Sequence, residues 1–228
     1  AFQASLGYEQ RITEDIGVSA TAYWSEQRDL LGFGADGAFG NTGAGFSRGI
    51  EALVRHDPGK AGFFGWVSYT LQQAERVDDF ASACPRSGDG GDADCSPWYR
   101  FDYDQTHILT VVASYKFPRG WQFGARFRLI SGNPTTPTRN GVYDAQLGGY
   151  IGIDGPLNGD RLPAFHQLDL RIDKQWVRKR TTVTAYLDVQ NVYDHRYPEI
   201  WVYSLDWSQR SALIGLPIYP SLGLQVDF

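Results

Sequence analysis

Apolar and polar side chains alternate one by one through nine segments of this 228-residue sequence, a period of two that calls for extended strands with two unlike faces. The segments are 2–11, 16–29, 47–55, 63–75, 101–116, 121–131, 165–175, 181–190 and 222–228. In the first, Phe2, Ala4, Leu6 and Tyr8 oppose Gln3, Ser5, Gly7 and Glu9. In the sixth, Trp121, Phe123, Ala125, Phe127 and Leu129 oppose Gln122, Gly124, Arg126 and Arg128. In the seventh, Leu168, Leu170 and Ile172 oppose Gln167, Asp169, Arg171 and Asp173. The eighth sets Val183, Ala185, Leu187 and Val189 against Thr184, Tyr186, Asp188 and Gln190. The last sets Leu222, Leu224, Val226 and Phe228 against Gly223, Gln225 and Asp227.

The connections alternate too. Tight turns at Thr13-Glu14-Asp15, Asp57-Pro58-Gly59-Lys60, Pro118-Arg119-Gly120 and around Arg178 are interleaved with long segments at 31–46, 77–100, 133–162 and 193–217. Short turns on one side and long loops on the other are the asymmetry of an antiparallel transmembrane β-barrel. A soluble sandwich has no reason to gather its long loops at one end. The polar rows agree. Arg126, Arg128, Asp169, Arg171, Asp173 and Asp188 cannot face lipid, and a dry sandwich core would charge them a large desolvation cost. A wet lumen tolerates them, which makes these six the candidate lumen-facing residues. Leu222, Leu224, Val226 and Phe228 then form an apolar C-terminal strand of the kind that ends outer-membrane barrels.

Aromatics are 14% of the chain, and Tyr8, Phe63, Tyr115, Phe117, Trp121, Trp176 and Phe228 sit where strands meet tight turns, as in an interfacial girdle. Trp98, Tyr99, Tyr103, Trp201, Tyr203 and Trp207 are candidates for the opposite interface and the loops above it. Mean hydropathy is -0.36, because alternation cancels in any average. No run reaches the roughly 18 apolar residues of a membrane-spanning helix. A net charge of -5 excludes a nucleic-acid partner that relies on a basic stripe, and the run Arg178-Lys179-Arg180 reads as a solvated turn. Cys84 and Cys95 flank a polar, Gly-rich segment and read as a disulfide made in an oxidising compartment.

Strand parity carries a further expectation. If the last strand runs from the loop side to the turn side, the first does too, and the chain begins on the loop side. Complete single-chain bacterial barrels have even strand counts. Residues 1–228 are therefore expected to be the C-terminal part of a larger barrel in the outer membrane of a Gram-negative bacterium.

Several motifs carry a resemblance. Arg-Leu-Pro-Ala-Phe-His-Gln-Leu-Asp-Leu-Arg at 161–171, Asp-Val-Gln-Asn-Val-Tyr-Asp at 188–194, Ser131-Gly132-Asn133-Pro134, and Gly-Leu-Pro-Ile-Tyr-Pro-Ser-Leu-Gly-Leu at 215–224 ahead of Phe228 resemble the late strands of TonB-dependent outer-membrane receptors. The likeness covers roughly 48–228. It implies a barrel of about 22 strands, the size class of plugged transporters. It also implies uptake of a scarce ligand such as a siderophore, cobalamin or glycan. The implied partners are membrane lipid, the remaining strands and plug of the same receptor, the TonB complex and the barrel assembly machinery. Neither the plug nor the TonB-contact segment lies within these residues. A non-transporting barrel acting as adhesin, scaffold or assembly partner through its loops is the other reading.

Catalytic and metal chemistry find little purchase, and no catalytic residue, metal site or cofactor is expected. Asp102 and Asp104 share a face of the expected fifth strand while His107 points away. His195 stands near Asp194 and Glu199 in a loop, His56 beside a tight turn and His166 at a strand start. The Asp-rich stretch from Gly88 to Asp94 lacks the EF-hand pattern. Gly32 to Gly45 is no phosphate loop, since no Lys follows it. No Gly-x-Ser-x-Gly elbow is present.

Overall fold

The computed structural model describes residues 1–34, 37–59, 61–84, 95 and 97–228. Lys60 of the second tight turn and the stretch from Gly88 to Asp94 lie outside the described residues. Nine long strands follow one another in chain order across a single antiparallel sheet: β1 (Phe2–Arg11), β2 (Ile16–Phe33), β3 (Phe39–His56), β4 (Phe63–Val77), β5 (His107–Phe117), β6 (Trp121–Ile130), β7 (Phe165–Val177), β8 (Thr182–Gln190) and β9 (Tyr219–Asp227). The short strand Tyr99–Arg100 adds to β4 as the tenth member. β1 and β9 are the free edges, and among the described residues they do not pair with each other.

Register keeps like with like. Leu6, Ala22, Ile50 and Leu71 line up across β1 to β4. Val111, Phe127 and Leu168 line up across β5 to β7, and Leu187 meets Leu222 between β8 and β9. One apolar face therefore runs the width of the sheet, and a slip of one residue anywhere would turn a strand's apolar row to the polar side. That face has no second layer over it: Leu6 is 80% exposed and Leu222 82%. Among the described residues the buried apolar set is only Ala44, Phe46, Val77 and Leu162, all toward the loop ends of the strands. A water-soluble domain covers its apolar sheet face with a second layer, and among the described residues no stacked sheet does so.

Three expectations need correction. The segment 31–46 is mostly not a loop, because β2 and β3 continue as a hairpin to Phe33 and Phe39. Its glycines hide strand character from a reading based on alternation, while pairs such as Gly32 with Gly40 still fit the ladder, with register shifts at Arg28 to Leu30 and Leu30 to Gly32. The fifth strand starts at His107, not at residue 101. Residues 101–106 instead turn beneath the loops, so Asp102 and Asp104 are not strand neighbours on one face. The long loops are themselves built from hairpins: Thr138–Asp144 pairs with Gly149–Asp154, Pro198–Tyr203 with Arg210–Ile214, and Pro134–Thr135 with Asp160–Arg161.

Candidate functional site

The polar face of β6, β7 and β8 carries a ladder of ion pairs. Arg126 and Asp169 stand opposite each other in register. Arg126 donates to Asp169 Oδ2 from Nε at 2.9 Å and from Nη2 at 2.7 Å, and Arg128 approaches the same oxygen at 3.8 Å. The other oxygen, Oδ1, accepts from Gln167 Nε2 at 2.6 Å and from the Asn191 backbone amide at 3.0 Å. One rung along, Arg171 donates to Asp173 at 2.8 Å and lies 3.9 Å from Asp188. The period of two puts Arg126, Arg128, Asp169, Arg171, Asp173 and Asp188 on the polar rows of their own strands, and register joins the rows, with Arg126 opposite Asp169 and Arg171 opposite Asp188. The same row carries Tyr186, whose ring lies over Gly223 on β9, where a Cβ would overlap it, and under the Arg171 guanidinium at 4.0 Å. Tyr23 does likewise over Gly49 and donates to Gln72 Oε1 at 2.9 Å. In both places a glycine leaves room for a flat aromatic ring from the neighbouring strand.

Above this row a second cluster ties the loops together. Asp104, 1% exposed, accepts from the Ala74 amide at 2.7 Å and forms an ion pair with Arg161. Arg161 also donates to the carbonyls of Asp104 and Gly132 and, at 2.9 Å, to Thr106 Oγ1. Asn158 reaches the Arg100 carbonyl at 2.8 Å and Asp102 at 2.6 Å. Segment 131–164 is thereby clamped to segment 99–106. A cavity of about 660 Å³ opens beside the clamp, lined by Tyr23, Gln72, Arg100, Asp104, Thr106 and Arg161 among others. Tyr99 donates to Asp78 at 2.7 Å, and burial together with that carboxylate pushes its phenol up to about 12.

Sequence reasoning missed this cluster. The sequence sets Asp104 only with Asp102 and His107, and Arg161 only within a motif. The lone signal is a carboxylate at the start of the expected fifth strand and a guanidinium near the end of the long connection 133–162.

The remaining features fall as follows. Cys84 and Cys95 form a disulfide. His166 Nδ1 meets the Tyr193 hydroxyl at 2.8 Å, and its ring stacks on His195. His107 Nδ1 meets Tyr69 in the same way at 2.8 Å, and His56 packs edge-on against Phe63. Among the described residues no group of three metal-ligating side chains converges, and no helix is long and apolar enough to cross a membrane. Tyr8, Phe63, Tyr115, Phe117, Trp121, Trp176 and Phe228 are all exposed at the tight-turn end. At the other end Trp98 packs with Phe46 and Phe80, and Tyr203 with Trp207, inside the loop layer.

One meander, apolar along one whole face and ion-paired along the other, is the wall of a membrane-type β-barrel, in which each strand's backbone groups are satisfied by its neighbours. The chain belongs to the TonB dependent receptor-like, beta-barrel family, whose model matches residues 1–192. Solved structures share the fold at low identity. The ferric-catecholate import receptor Fiu of E. coli K12 superimposes with a TM-score of 0.59 at 15% identity, over 99% of this chain and 27% of that one. The ferric yersiniabactin uptake receptor FyuA of Yersinia pestis gives 0.58 at 15%, over 99% and 30%. The FrpB iron transporter of Neisseria meningitidis gives 0.56 at 15%, over 99% and 30%. The chain thus spans less than a third of each of these structures. No curated protein sequence matches it.

Proposed function

We propose that residues 1–228 are the C-terminal part of the barrel wall of an outer-membrane receptor that takes up a scarce ligand, of the siderophore, cobalamin or glycan class, in a Gram-negative bacterium. The apolar rows, including Leu222, Leu224, Val226 and Phe228, face hydrocarbon, and the last strand is what the barrel assembly machinery engages. Arg126, Arg128, Asp169, Arg171, Asp173 and Asp188 face the lumen. The tight turns lie in the periplasm and the clamped loops outside. The remaining strands, a plug and a TonB-contact segment belong to the rest of the same receptor, and TonB supplies the energy. The reading contains no enzymatic step.

The observation that carries it is the separation of two faces on an uncovered sheet, with family membership behind it. The reading towards iron ligands draws on what Fiu, FyuA and FrpB are described as importing, and no residue here selects among ligand classes. The test uses the full receptor in outer-membrane preparations and in cells. It is expected in the outer-membrane fraction, with its loops open to external protease, and ligand uptake is expected to need TonB. Recovery as a stable monomer in detergent-free buffer would overturn the barrel placement. Surface binding of cells or ligand with no TonB-dependent uptake would favour the adhesin or scaffold reading instead.

A further inference from the structure

The tight-turn end of the sheet is not uniform in charge. At the β3–β4 turn the cations are matched, since Arg11 and Arg55 pair with Asp57 at 3.3 and 3.0 Å. The β5–β6 and β7–β8 turns hold Arg119, Arg178, Lys179 and Arg180, all exposed, and among the described residues none of them forms an ion pair. The β5–β6 turn packs against the end of β7 that leads into the other turn, because a Cβ on Gly120 would run into the Gln175 carbonyl.

Lys174 belongs to the same group, and its position is the unusual one. It lies on the apolar row of β7, in register with Trp121 and Ala185 and two residues from Trp176. Its Nζ stands 5.0 Å from the Trp121 ring centroid and 5.7 Å from that of Trp176, and donates to the Arg119 carbonyl at 2.5 Å. A lysine on a hydrocarbon-facing row is costly at depth and is tolerated where it can extend to the interface. Here the two indoles and the Arg119 carbonyl hold the ammonium at the edge of the apolar band, at the same end of the sheet as the four unmatched cations. The carboxylates of Asp173 and Asp227 belong to the opposite, polar face.

We propose that Lys174, with Arg119, Arg178, Lys179 and Arg180 and the indoles of Trp121 and Trp176, binds the headgroup of an anionic phospholipid in the leaflet at the tight-turn end. The indoles lie at headgroup depth, as interfacial Trp does. The phosphodiester anion, not offset by a headgroup cation, supplies the missing counter-charge, and the acyl chains lie along Phe123, Ile172 and Val183 of the apolar face. This rests on the barrel reading above.

The test uses the full receptor in a non-ionic detergent, titrated with phosphatidylglycerol or phosphatidylcholine and read by native mass spectrometry. A basic side chain near an anionic lipid surface contributes a factor of about five. Phosphatidylglycerol is therefore expected to be retained at least tenfold better than phosphatidylcholine. That preference should vanish in Lys174→Gln combined with Arg178→Gln, Lys179→Gln and Arg180→Gln, and persist in Arg139→Gln on an external hairpin. β-rich circular dichroism and heat-modifiable migration of each variant report folding separately. Equal retention of the two lipids, or an unchanged preference in the quadruple variant, would overturn the lipid site while leaving the barrel standing. Tighter retention of a polyglutamate peptide than of phosphatidylglycerol would overturn it in favour of a protein partner. Failure of the receptor to enter detergent as β-sheet would overturn the barrel reading itself.

Discussion

The imidazoles of His166 and His195 stack with their centroids 3.6 Å apart, joining the start of β7 to the loop after β8. At that spacing His166 opposes a charge on His195. His195 is held below its ordinary value by burial first and by His166 second, with a hydrogen bond to the Ala164 backbone acting the other way. Tyr193 faces the pair, and Asp194 and Arg196, 3.6 Å apart, flank it on the loop. Because the folded pKa is depressed, the unfolded loop binds more protons. The stabilisation is complete above the free imidazole value of about 6.5 and is lost as pH falls below that value through the depressed folded one. Hydrogen exchange in 193–217 should therefore speed up between pH 7.5 and 5.5, and His195→Gln should remove most of that pH dependence. A profile unchanged by the substitution would show that the stack is not the titrating element.

Asp169 is expected to be the most sensitive carboxylate of the polar face. Only 5% exposed, it accepts from Arg126, Gln167 and the Asn191 amide, and Asn191 is itself 3% exposed. Asp169→Ala strands that buried amide and should cost about 1–3 kcal/mol, the penalty of an unmatched buried polar group. Asp57→Ala, at an exposed pair, should cost no more than about 1 kcal/mol. Guanidinium unfolding in detergent ranks the two, and a reversed order would refute the assignment.

Arg161 should prove irreplaceable by lysine. Its two terminal nitrogens serve Asp104, the Gly132 carbonyl and Thr106 at once, a fork that an ammonium cannot reproduce. Arg161→Lys and Arg161→Ala should both release segment 131–164, with early proteolytic cleavage there while the strands stay protected. If Arg161→Lys resists protease as the parent does, the clamp is not made by the guanidinium geometry.

Tyr186 and Gly223 should be energetically coupled. A methyl at Gly223 overlaps the Tyr186 ring, so Gly223→Ala is expected to cost about 1–3 kcal/mol from overpacking. In a Tyr186→Ala background the same change should cost nearly nothing. The double-mutant cycle reads the difference in thermal unfolding, and additive effects would show that the ring does not occupy the space above the glycine.

Alkylation without a reductant should leave both Cys84 and Cys95 unlabelled, since the structure joins them. Labelling of either one under those conditions would contradict the disulfide.

Much of this protein was determined locally, by side-chain alternation alone. Period two put Arg126, Arg128, Asp169, Arg171 and Asp173 on one face and Phe127, Leu168 and Ile172 on the other, and the turn residues separated short connections from long ones. Such properties belong to single strands, so a linear reading recovers them. What Asp169 pairs with depended on register, which set it opposite Arg126 rather than a rung away. The loop layer was decided wholly in three dimensions. Asp104 and Arg161 are far apart in sequence: alternation assigns the one to an expected strand and leaves the other in a long connection, and nothing local joins them. Their meeting follows from strand order, which carries β4, β5 and β7 to the same end of the sheet and leaves a buried carboxylate that only a guanidinium from a distant loop can satisfy.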